Sequence, residues 1–362
     1  MALGARALGI RTGLTPVHRL RSPVISIGSL SAGGAGKTPL TLTLARALIQ
    51  SGMSSRVNGL PSGTSIAVLS RGYGRLGAKP ARVDPSGSAD DFGDEPLILA
   101  QAGFPVYVAA ERYQAGLLAE REAEFSARSA DRDSSPVGRD FSPGKIQAEQ
   151  EGASAPAEHL SAIHLLDDGF QHRQLHRDID IVLFSRHDLN DRLLPFGNLR
   201  EPLSALRRAA ILAVPAEDAN LATELNWTGP VWRLHRRIEV PLVESAPLNS
   251  SVVAFCGIAR PDQFFLGLEA AGLHLAARIA FPDHHRYSQA DLARLRSTAR
   301  SAGAAAFLTT EKDRVRLLSL AAPLAAQLSE EIPLNAARLH IEIEDEDAAL
   351  DALLASLPPV RD

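Results

Sequence analysis

The strongest chemical signal in the chain is the glycine-rich run SAGGAGKT at residues 31–38. It departs from the phosphate-loop pattern only at its first position, where Ser31 stands in place of glycine. The glycines would let backbone N–H groups turn toward a triphosphate, Lys37 would reach the β and γ phosphates, and the Thr38 hydroxyl could bind Mg²⁺. We therefore expect a nucleotide site formed by Ser31, Ala32, Gly33, Gly34, Ala35, Gly36, Lys37 and Thr38.

Two carboxylates end an apolar run in the sequence LLDDGFQH. Open α/β sheets present their ligands at the carboxyl ends of strands, so Asp167 and Asp168 are candidate Mg²⁺ ligands, although paired acids also occur in ordinary turns. His172 and His176 are four residues apart and could bind zinc on a helix. No HExxH motif accompanies them, and the sequence does not favour a zinc site.

Charged residues also cluster in three other segments. In GDEP, Asp94 precedes a helical pattern, where a carboxylate could either cap the helix or accept a proton from an attacking hydroxyl. The segment PDHHRY, residues 282–287, groups acid, imidazole, guanidinium and phenol more densely than an ordinary surface loop. Arg200 and Glu201 lie between two prolines in PFGNLREP, which suits them to position phosphates or a metal.

A phosphate loop identifies a nucleotide site but not a reaction. GTP-binding proteins usually carry an Asn/Thr-Lys-x-Asp motif, whereas the nearest string here is TEKD, residues 310–313, so GTP specificity is not supported. A kinase needs the loop, Mg²⁺ ligands and a base, and the chain offers candidates for all three. The alternative is a P-loop ATPase that drives transport or delivers a metal, or a nucleotide-dependent scaffold. Neither would need Asp94 or the PDHHRY segment.

The charge is distributed unevenly along the 362 residues. The net charge is −4, but residues 1–83 contain 11 Lys and Arg and no acid, so they carry +11 and the remainder carries −15. A basic region of this size predicts an anionic partner such as phosphate, nucleic acid or a lipid surface. The low aromatic content, 5%, without interleaved basic residues, argues against nucleic acid.

Cysteine content and hydropathy restrict the cellular setting. The single cysteine, Cys256, excludes an intramolecular disulfide and a multi-thiolate metal site and indicates a reducing compartment. No stretch reaches the roughly 18 apolar residues of a spanning helix, and the first 20 residues lack the apolar core of a signal peptide. We expect a cytoplasmic protein that lies on a membrane surface at most.

The elements that must position these residues alternate between strands and helices. Apolar runs at 23–30, 66–70, 105–110, 163–168 and 178–185 predict a parallel sheet covered on both faces. The extended segments 231–243 and 338–345 could pair with each other, and the residues between them predict a smaller α/β unit. The ending EDAALDALLASL predicts a helix, and the polar stretch 126–158 predicts a disordered, dispensable insertion. The expected domains are residues 1–228 and 229–362.

In its motifs the chain resembles the tetraacyldisaccharide 4'-kinases of lipid A biosynthesis. The matching landmarks span residues 25–313: ISIGSLSAGGAGKTP, LSRGYG, GDEP, VYVAAER, LDDGFQHRQLHRDIDIVL, LLPFGNLREP, FCGIARPDQF, FPDHHRY and LTTEKD. The first glycine of the loop is commonly Ser or Thr in that family. The resemblance implies a P-loop NTPase-like domain joined to a smaller α/β domain by a two-strand linker. It also implies transfer of the ATP γ-phosphate to the 4'-hydroxyl of a tetraacyldisaccharide 1-phosphate, giving the 1,4'-bisphosphate.

The resemblance also implies roles for individual residues. Lys37 and Thr38 would hold phosphates and Mg²⁺, Asp167 and Asp168 would form the metal pair, and Asp94 would be the general base, supported by His284 rather than its neighbour His285. The expected metal ligands are Thr38, Asp167, Asp168 and Glu201, and the expected lining of the nucleotide or disaccharide cleft includes Tyr73, Arg112, Gln171, His172 and Arg200.

The family usually begins with an apolar membrane-seating helix, and the weakly apolar N-terminus here departs from that pattern. Either the start codon is placed too late in this sequence, or attachment is purely interfacial through ALGARALGI, with headgroup contacts from Arg6, Arg11, Arg19 and Arg21. The implied partners are ATP, a lipid disaccharide 1-phosphate and the cytoplasmic face of the inner membrane, where the protein would be peripheral. No nucleic-acid partner is expected.

Overall fold

The computed structural model describes residues 16–53, 65–133, 162–240, 251–319, 328–329, 332–359 and 361. Several predictions from the sequence fall outside these residues. They concern the N-terminal segment with Arg6 and Arg11, residues 54–64 of the polar segment 54–65, whose composition predicts a loop after the first helix, and residues 134–158 of the predicted insertion.

A single twelve-stranded sheet organises the described chain. Its strand order is β10-β9-β11-β12-β8-β7-β6-β1-β5-β2-β4-β3, and all neighbouring strands are parallel except the pairs β12–β8 and β3–β4. The predicted α/β class is therefore confirmed. The strands are β1 Val24–Ser29, β2 Ser65–Ser70, β3 Ala81–Arg82, β4 Val106–Val108, β5 Ala162–Asp167, β6 Ile179–Leu183, β7 Ile211–Pro215, β8 Val231–Glu239, β9 Ser251–Cys256, β10 His274–Ala280, β11 Ala306–Thr310 and β12 Leu334–Ile343.

Helices connect the parallel strands and cover the sheet. None of those in the described ranges is long and apolar enough to cross a membrane. The α-helices with described bounds are α1 Lys37–Met53, α2 Ala89–Phe92, α3 Asp94–Gln101, α4 Arg112–Asp133, α5 Arg186–Leu189, α6 Leu221–Glu224, α7 Pro261–Ala270, α8 Gln289–Ala302, α9 Glu311–Ser319 and α10 Glu346–Ala355, with 3₁₀ helices at Leu203–Arg208 and Ala216–Asp218.

Strand β1 lies at the centre of the sheet, between β5 and β6, and carries the nucleotide loop at its carboxyl end. All six of its residues are buried, because helices on both faces exclude water from an apolar run of this length. Ile25 and Ile27 join the main hydrophobic core with Leu40 and Leu44 of α1. This core fixes the start of α1 directly against the strand that precedes the loop.

The two extended segments predicted to pair do so. Strands β8 and β12 form an antiparallel ladder from Arg338 opposite Glu239 to Ile343 opposite Leu234. Helix α10 follows β12, and its Leu350 belongs to the same core cluster as β1. The proposed division into residues 1–228 and 229–362 stays a prediction, since strands from both parts build one sheet.

Three details differ from the expectations. Helix α4 continues to Asp133, so residues 126–133 are helical rather than part of a disordered insertion. The Ala and Arg residues of this segment favour continuation of a helix whose first turns already pack Ala115 and Ala119 into the core. Strands β7 and β10 were not predicted, because ILAVP is short and HLAARIA is rich in alanine, which has a weak strand preference.

Candidate functional site

The loop between β1 and α1 has the backbone that a phosphate cradle needs. Gly33, Gly34 and Gly36 have φ angles of +71°, +66° and +90°, a region that side chains with a Cβ atom rarely adopt. A Cβ atom on Gly33 would lie 2.7 Å from the Cβ of Ala259, so residues that precede α7 cover the loop closely. The buried hydroxyl of Ser31 has no hydrogen-bond partner among the described residues. The loop is thus shaped for a ligand that supplies acceptors.

Lys37 lies at the first turn of α1 and is buried next to an acid. Its Nζ is 3.4 Å from Oδ1 of Asp168, and Nη1 of Arg200 donates to both oxygens of the same carboxylate at 2.9 and 2.8 Å. Burial by itself would raise the pKa of Asp168, but the charges of Lys37 and Arg200 hold it well below its ordinary value. One carboxylate therefore keeps two cations in place at the mouth of the loop.

Asp167 occupies a different environment from its neighbour. Its oxygens accept from the Thr38 hydroxyl at 3.3 Å and the Thr41 hydroxyl at 3.0 Å. Burial raises the pKa of Asp167 to about 7, and the nearby charges of Glu95 and Asp168 act in the same direction. A buried carboxylate beside a threonine hydroxyl and a second carboxylate is an all-oxygen donor set that fits Mg²⁺. A divalent cation would also remove the like-charge repulsion that raises this pKa.

The Thr41 hydroxyl offers a test of this packing. It is fully buried and lies 3.0 Å from both the Lys37 carbonyl oxygen and Asp167 Oδ1. The isosteric change Thr41→Val leaves the Asp167 carboxylate without this donor, so we expect unfolding free energy to fall by about 1–3 kcal/mol. Chemical denaturation measures it. The control is Thr298→Val on α8, where the hydroxyl is partly exposed and bonds only to the Arg294 carbonyl oxygen among the described contacts, and an equal effect there would contradict the assignment.

Three residues expected in the cleft surround the carboxylate pair. Arg112, the first residue of α4, is buried with its Nε unpartnered in the described structure, and burial lowers its pKa to about 10. Gln171 donates to the Ser29 carbonyl oxygen at 2.9 Å and accepts from Arg200 at 3.3 Å. His172 lies one residue further, and its carbonyl oxygen accepts from Arg177 at 2.7 Å. These contacts orient the backbone that carries Asp167 and Asp168.

Two other candidate metal contacts concern Glu201 and the histidine pair His172 and His176. The carboxylate of Glu201 accepts from Arg208 at 2.9 Å, so its predicted role as a metal ligand stays a prediction. His176 faces Asp178 at 3.4 Å, and no group of three or more His, Cys, Asp or Glu side chains suited to a metal occurs within the described ranges. The geometry gives the zinc alternative no support there.

Asp94 and His284 meet across the cleft. Asp94 is the first residue of α3 and is buried, and its Oδ2 lies 3.4 Å from Nδ1 of His284. His284 has a left-handed backbone, φ +57°, which turns its ring toward Asp94, while His285 turns away and contacts Asp291 at 3.1 Å. The exposed Tyr73 ring lies 5.2 Å from that of His284. The structure therefore brings together the carboxylate and the imidazole that the sequence places 190 residues apart.

Helix α9 supplies a third partner that the sequence analysis missed. Nε and Nη2 of Arg316 donate to Oδ2 of Asp94, the first at 3.0 Å, and Nη1 donates to the Gly257 carbonyl oxygen at 2.7 Å. Lys312, one turn earlier, is ion-paired with Glu95. The TEKD string thus serves to hold the start of α3, and Asp313 fixes the adjoining loop by accepting from the Gly257 N–H at 3.0 Å.

These contacts set the charge of the pair. Burial by itself would raise the pKa of Asp94, but the hydrogen bond with His284 and the charges of Arg316 and Lys312 hold it well below its ordinary value. The hydrogen bond with Asp94 raises the pKa of His284. Asp94 is therefore ionised at neutral pH, and its carboxylate favours the protonated form of His284, while burial and the charge of Arg316 act in the opposite direction.

Removing Arg316 should move the pH dependence of the reaction. Activity that needs ionised Asp94 is lost as the pH falls through the pKa of Asp94. The variant Arg316→Met removes a positive charge that lowers this pKa, so the pKa should rise. We therefore expect the acid limb of the kcat profile to shift to higher pH by about one unit or more. Steady-state rates between acid and neutral pH measure the shift.

Two further variants separate a positioning role for Arg316 from a structural one. Arg316→Lys keeps a cation, so its acid limb should lie closer to that of the parent chain. Arg314→Met, which changes an exposed residue on the same helix, should leave the position of the acid limb unchanged. A lower kcat with an unshifted profile in Arg316→Met would show that Arg316 only supports the fold.

Fold and site together define a class: an α/β nucleotide-binding protein with a phosphate loop after β1, an acidic pair at the end of the neighbouring strand β5, and a buried aspartate paired with a more exposed histidine. The family model Tetraacyldisaccharide-1-P 4'-kinase matches residues 1–358. The chain belongs to that family.

Individual relatives agree with this assignment. The tetraacyldisaccharide 4'-kinase of Koribacter versatilis is 40% identical over 346 residues, covering 93% of this chain and 89% of the relative. That of Geobacter metallireducens is 34% identical over 334 residues, covering 88% and 85%. Among solved structures, LpxK from Aquifex aeolicus, crystallised in complex with ATP, matches with a TM-score of 0.62 and 28% identity over 98% of this chain and 94% of that one.

Proposed function

We propose that the protein transfers the γ-phosphate of ATP to the 4'-hydroxyl of a tetraacyldisaccharide 1-phosphate, giving the 1,4'-bisphosphate precursor of lipid A. Membership of the kinase family supports the reaction class and the substrates. The observation that carries the proposal is the buried Asp94 carboxylate, held by His284 and Arg316 in the cleft that the phosphate loop borders. An ATPase for transport or metal delivery would have no use for that pair.

At the nucleotide end, the loop would bind the phosphates through its backbone N–H groups. Lys37 and Arg200, which share Asp168 as their partner, would bind γ-phosphate oxygens and stabilise the charge that spreads over them in the transition state. Thr38, Asp167 and Asp168 would hold Mg²⁺, with Glu201 as a further ligand from the sequence. When bound, Mg²⁺ neutralises charge on the β and γ phosphates.

At the acceptor end, Asp94 would orient the 4'-hydroxyl and accept its proton. A loose phosphoryl-transfer transition state makes little demand on base strength, so a carboxylate with a lowered pKa can serve. His284 would fix the rotamer of Asp94 and, when protonated, stabilise its carboxylate charge before transfer. Tyr73, beside His284 and largely exposed, would line the disaccharide side of the cleft, with Arg112, Gln171 and His172 on the phosphate side.

We also propose that the protein acts as a peripheral enzyme at the cytoplasmic face of the inner membrane. A tetraacylated acceptor is confined to a bilayer, so the active site must reach the headgroup layer. The basic character of residues 1–83 supports contact with anionic headgroups.

The test is incubation of the purified chain with radiolabelled ATP and a tetraacyldisaccharide 1-phosphate, followed by thin-layer chromatography. We expect a labelled bisphosphate that depends on both substrates. Folded protein that hydrolyses ATP at the same rate with or without the acceptor, and makes no labelled lipid, would favour the ATPase instead.

A further inference from the structure

The loop between α5 and the 3₁₀ helix at Leu203–Arg208 projects a run of exposed apolar side chains. Leu193, Leu194 and Phe196 are 46%, 53% and 85% exposed, and Pro195 between them is exposed as well. Arg192 precedes them and is also exposed, with no ion pair within the described residues. We call residues 192–196 the apolar tip. Large apolar side chains this exposed and this close together indicate a contact with an apolar environment.

Hydrogen bonds at its base hold the apolar tip in one conformation. The Leu194 N–H donates to the Leu199 carbonyl oxygen, and the Leu199 N–H donates to the Arg192 carbonyl oxygen, both at 2.9 Å. Asp191 accepts from the side-chain amide of Asn198 at 2.9 Å. A Cβ atom on Gly197 would lie 2.3 Å from the Arg192 carbonyl oxygen, so glycine is needed for the loop to close. The projection is therefore built into the fold and is not a frayed end.

The base of the tip is joined directly to the nucleotide loop. The Ala32 N–H donates to the Asn198 carbonyl oxygen at 2.8 Å, and the Arg200 N–H donates to the Leu30 carbonyl oxygen at 2.7 Å. The loop that carries the exposed Phe196 thus also carries Arg200, which lies beside the nucleotide loop through its contact with Asp168. Whatever the apolar tip contacts lies beside the mouth of the active site.

A second loop at the same edge of the sheet has a matching composition. Residues 71–79, RGYGRLGAK, follow the carboxyl end of β2 and contain three basic residues and no acid. Tyr73 and Leu76 are 62% and 79% exposed. Strands β1 and β5 separate β2 from β6, after which the apolar tip follows, so the two loops lie on either side of the nucleotide loop. Apolar side chains next to unopposed cations are typical of segments that enter the interface of an anionic bilayer.

We propose that the apolar tip inserts into the interfacial region of an anionic bilayer and thereby sets the active site at headgroup level. This deepens the proposed function and rests on it, because only a lipid acceptor requires the cleft to meet a bilayer. Leu193, Leu194 and Phe196 enter the acyl boundary, while Arg192 and the basic residues of loop 71–79 bind headgroup phosphates. The occupant is the bilayer itself rather than the acyl chains of the bound acceptor or another protein.

A fluorescent label on the tip tests insertion directly. The chain has one cysteine, Cys256, which is buried, and burial raises the pKa of its thiol to about 12, so it should not react with a polarity-sensitive thiol dye. The variant Phe196→Cys carries the dye, and Leu266→Cys on α7, a position that is 59% exposed, is the matched control. The full chain is mixed with phosphatidylglycerol-containing vesicles that hold no acceptor lipid and no ATP.

We expect the emission of the label at position 196 to shift to shorter wavelength with vesicles, and the label at position 266 to stay unchanged. A shift at position 196 that needs the acceptor lipid would assign the tip to substrate acyl chains and overturn the proposal, as would equal responses at both positions. A response at position 196 in a chain that makes no labelled lipid product would leave insertion standing and refute only the proposed kinase reaction.

Removing the apolar side chains gives a second, independent measure. In the variant Leu193→Ser, Leu194→Ser, Phe196→Ser, vesicle co-sedimentation should weaken by at least about tenfold. The rate with acceptor dispersed in detergent should change far less than the rate with acceptor in vesicles. Leu266→Ser should sediment like the parent chain. Unchanged sedimentation of the triple variant, with an intact unfolding transition, would overturn the proposal.

Discussion

The variant Asp94→Asn is expected to lose about 10²–10⁴ in kcat while its KM for ATP stays near that of the parent chain. The amide keeps the size of the side chain and can still accept from Arg316, but it cannot take a proton from the acceptor hydroxyl. In the proposed mechanism Asp94 serves the acceptor side of the cleft, whereas Lys37 and Arg200, which pair with Asp168, would hold the phosphates. The loss should therefore fall on turnover and leave nucleotide affinity intact.

Steady-state kinetics with both substrates and calorimetric titration with an ATP analogue separate these effects. Because Asp94 neutralises the buried Arg316, the unfolding transition of the variant is measured as well. The control is Asp84→Asn, which changes an exposed carboxylate whose hydrogen bonds in the described structure come from nearby Ser86. Turnover near the parent value in Asp94→Asn would remove Asp94 from the role of base, and loss of ATP binding would show that the carboxylate serves the structure of the cleft instead.

The parts of the site that can be predicted from the sequence are those that lie within one short segment. The phosphate loop and the Asp167–Asp168 pair each depend on a strand and the turn that follows it, so their local pattern is enough to place them. The choice of His284 over its neighbour came from the family resemblance. In the structure, the left-handed backbone at His284 points the two rings toward different partners.

Contacts between segments that are remote in the sequence could not be predicted from local patterns. Arg316 is 222 residues from Asp94, and nothing in its own neighbourhood distinguishes it from the exposed Arg314 on the same helix. Its role depends on how α9 packs beside α3, which is a property of the whole sheet. The alanine-rich strand β10 escaped prediction for a related reason, since pairing with β9 rather than its own side-chain pattern determines its conformation.

The exposure of the apolar tip could not be predicted from the sequence either. Leu-Leu-Pro-Phe reads as an apolar run, and such a run is ordinarily buried. Its exposure follows from Gly197 and Asp191, which close the loop outward and leave the side chains without a packing partner. An apolar run in a sequence therefore predicts contact with something apolar, but only the fold decides whether that is the protein's own core.

The variant Lys37→Met should lower kcat/KM for ATP by about 10²–10³, the range found when one preorganised donor to a developing charge is removed. Lys37 is buried 3.4 Å from Asp168, and its alkyl chain can be replaced by that of Met without a large change in packing. The ammonium group would contact the γ-phosphate in the bound state and more strongly in the transition state, so we expect ATP affinity and turnover to fall together, in contrast to Asp94→Asn.

Calorimetry for the ATP analogue and steady-state rates at several ATP concentrations separate affinity from turnover, and Arg121→Met, which removes an exposed cation on α4 outside the phosphate loop, is the control. If Lys37→Met bound and used ATP like the parent chain, the loop would not be the phosphate site. If it lost turnover alone, Lys37 would act only on the transferring phosphoryl group. The pattern across Lys37 and Asp94 thus distinguishes a kinase with separate nucleotide and acceptor ends from an ATPase, in which only the change at Lys37 should matter.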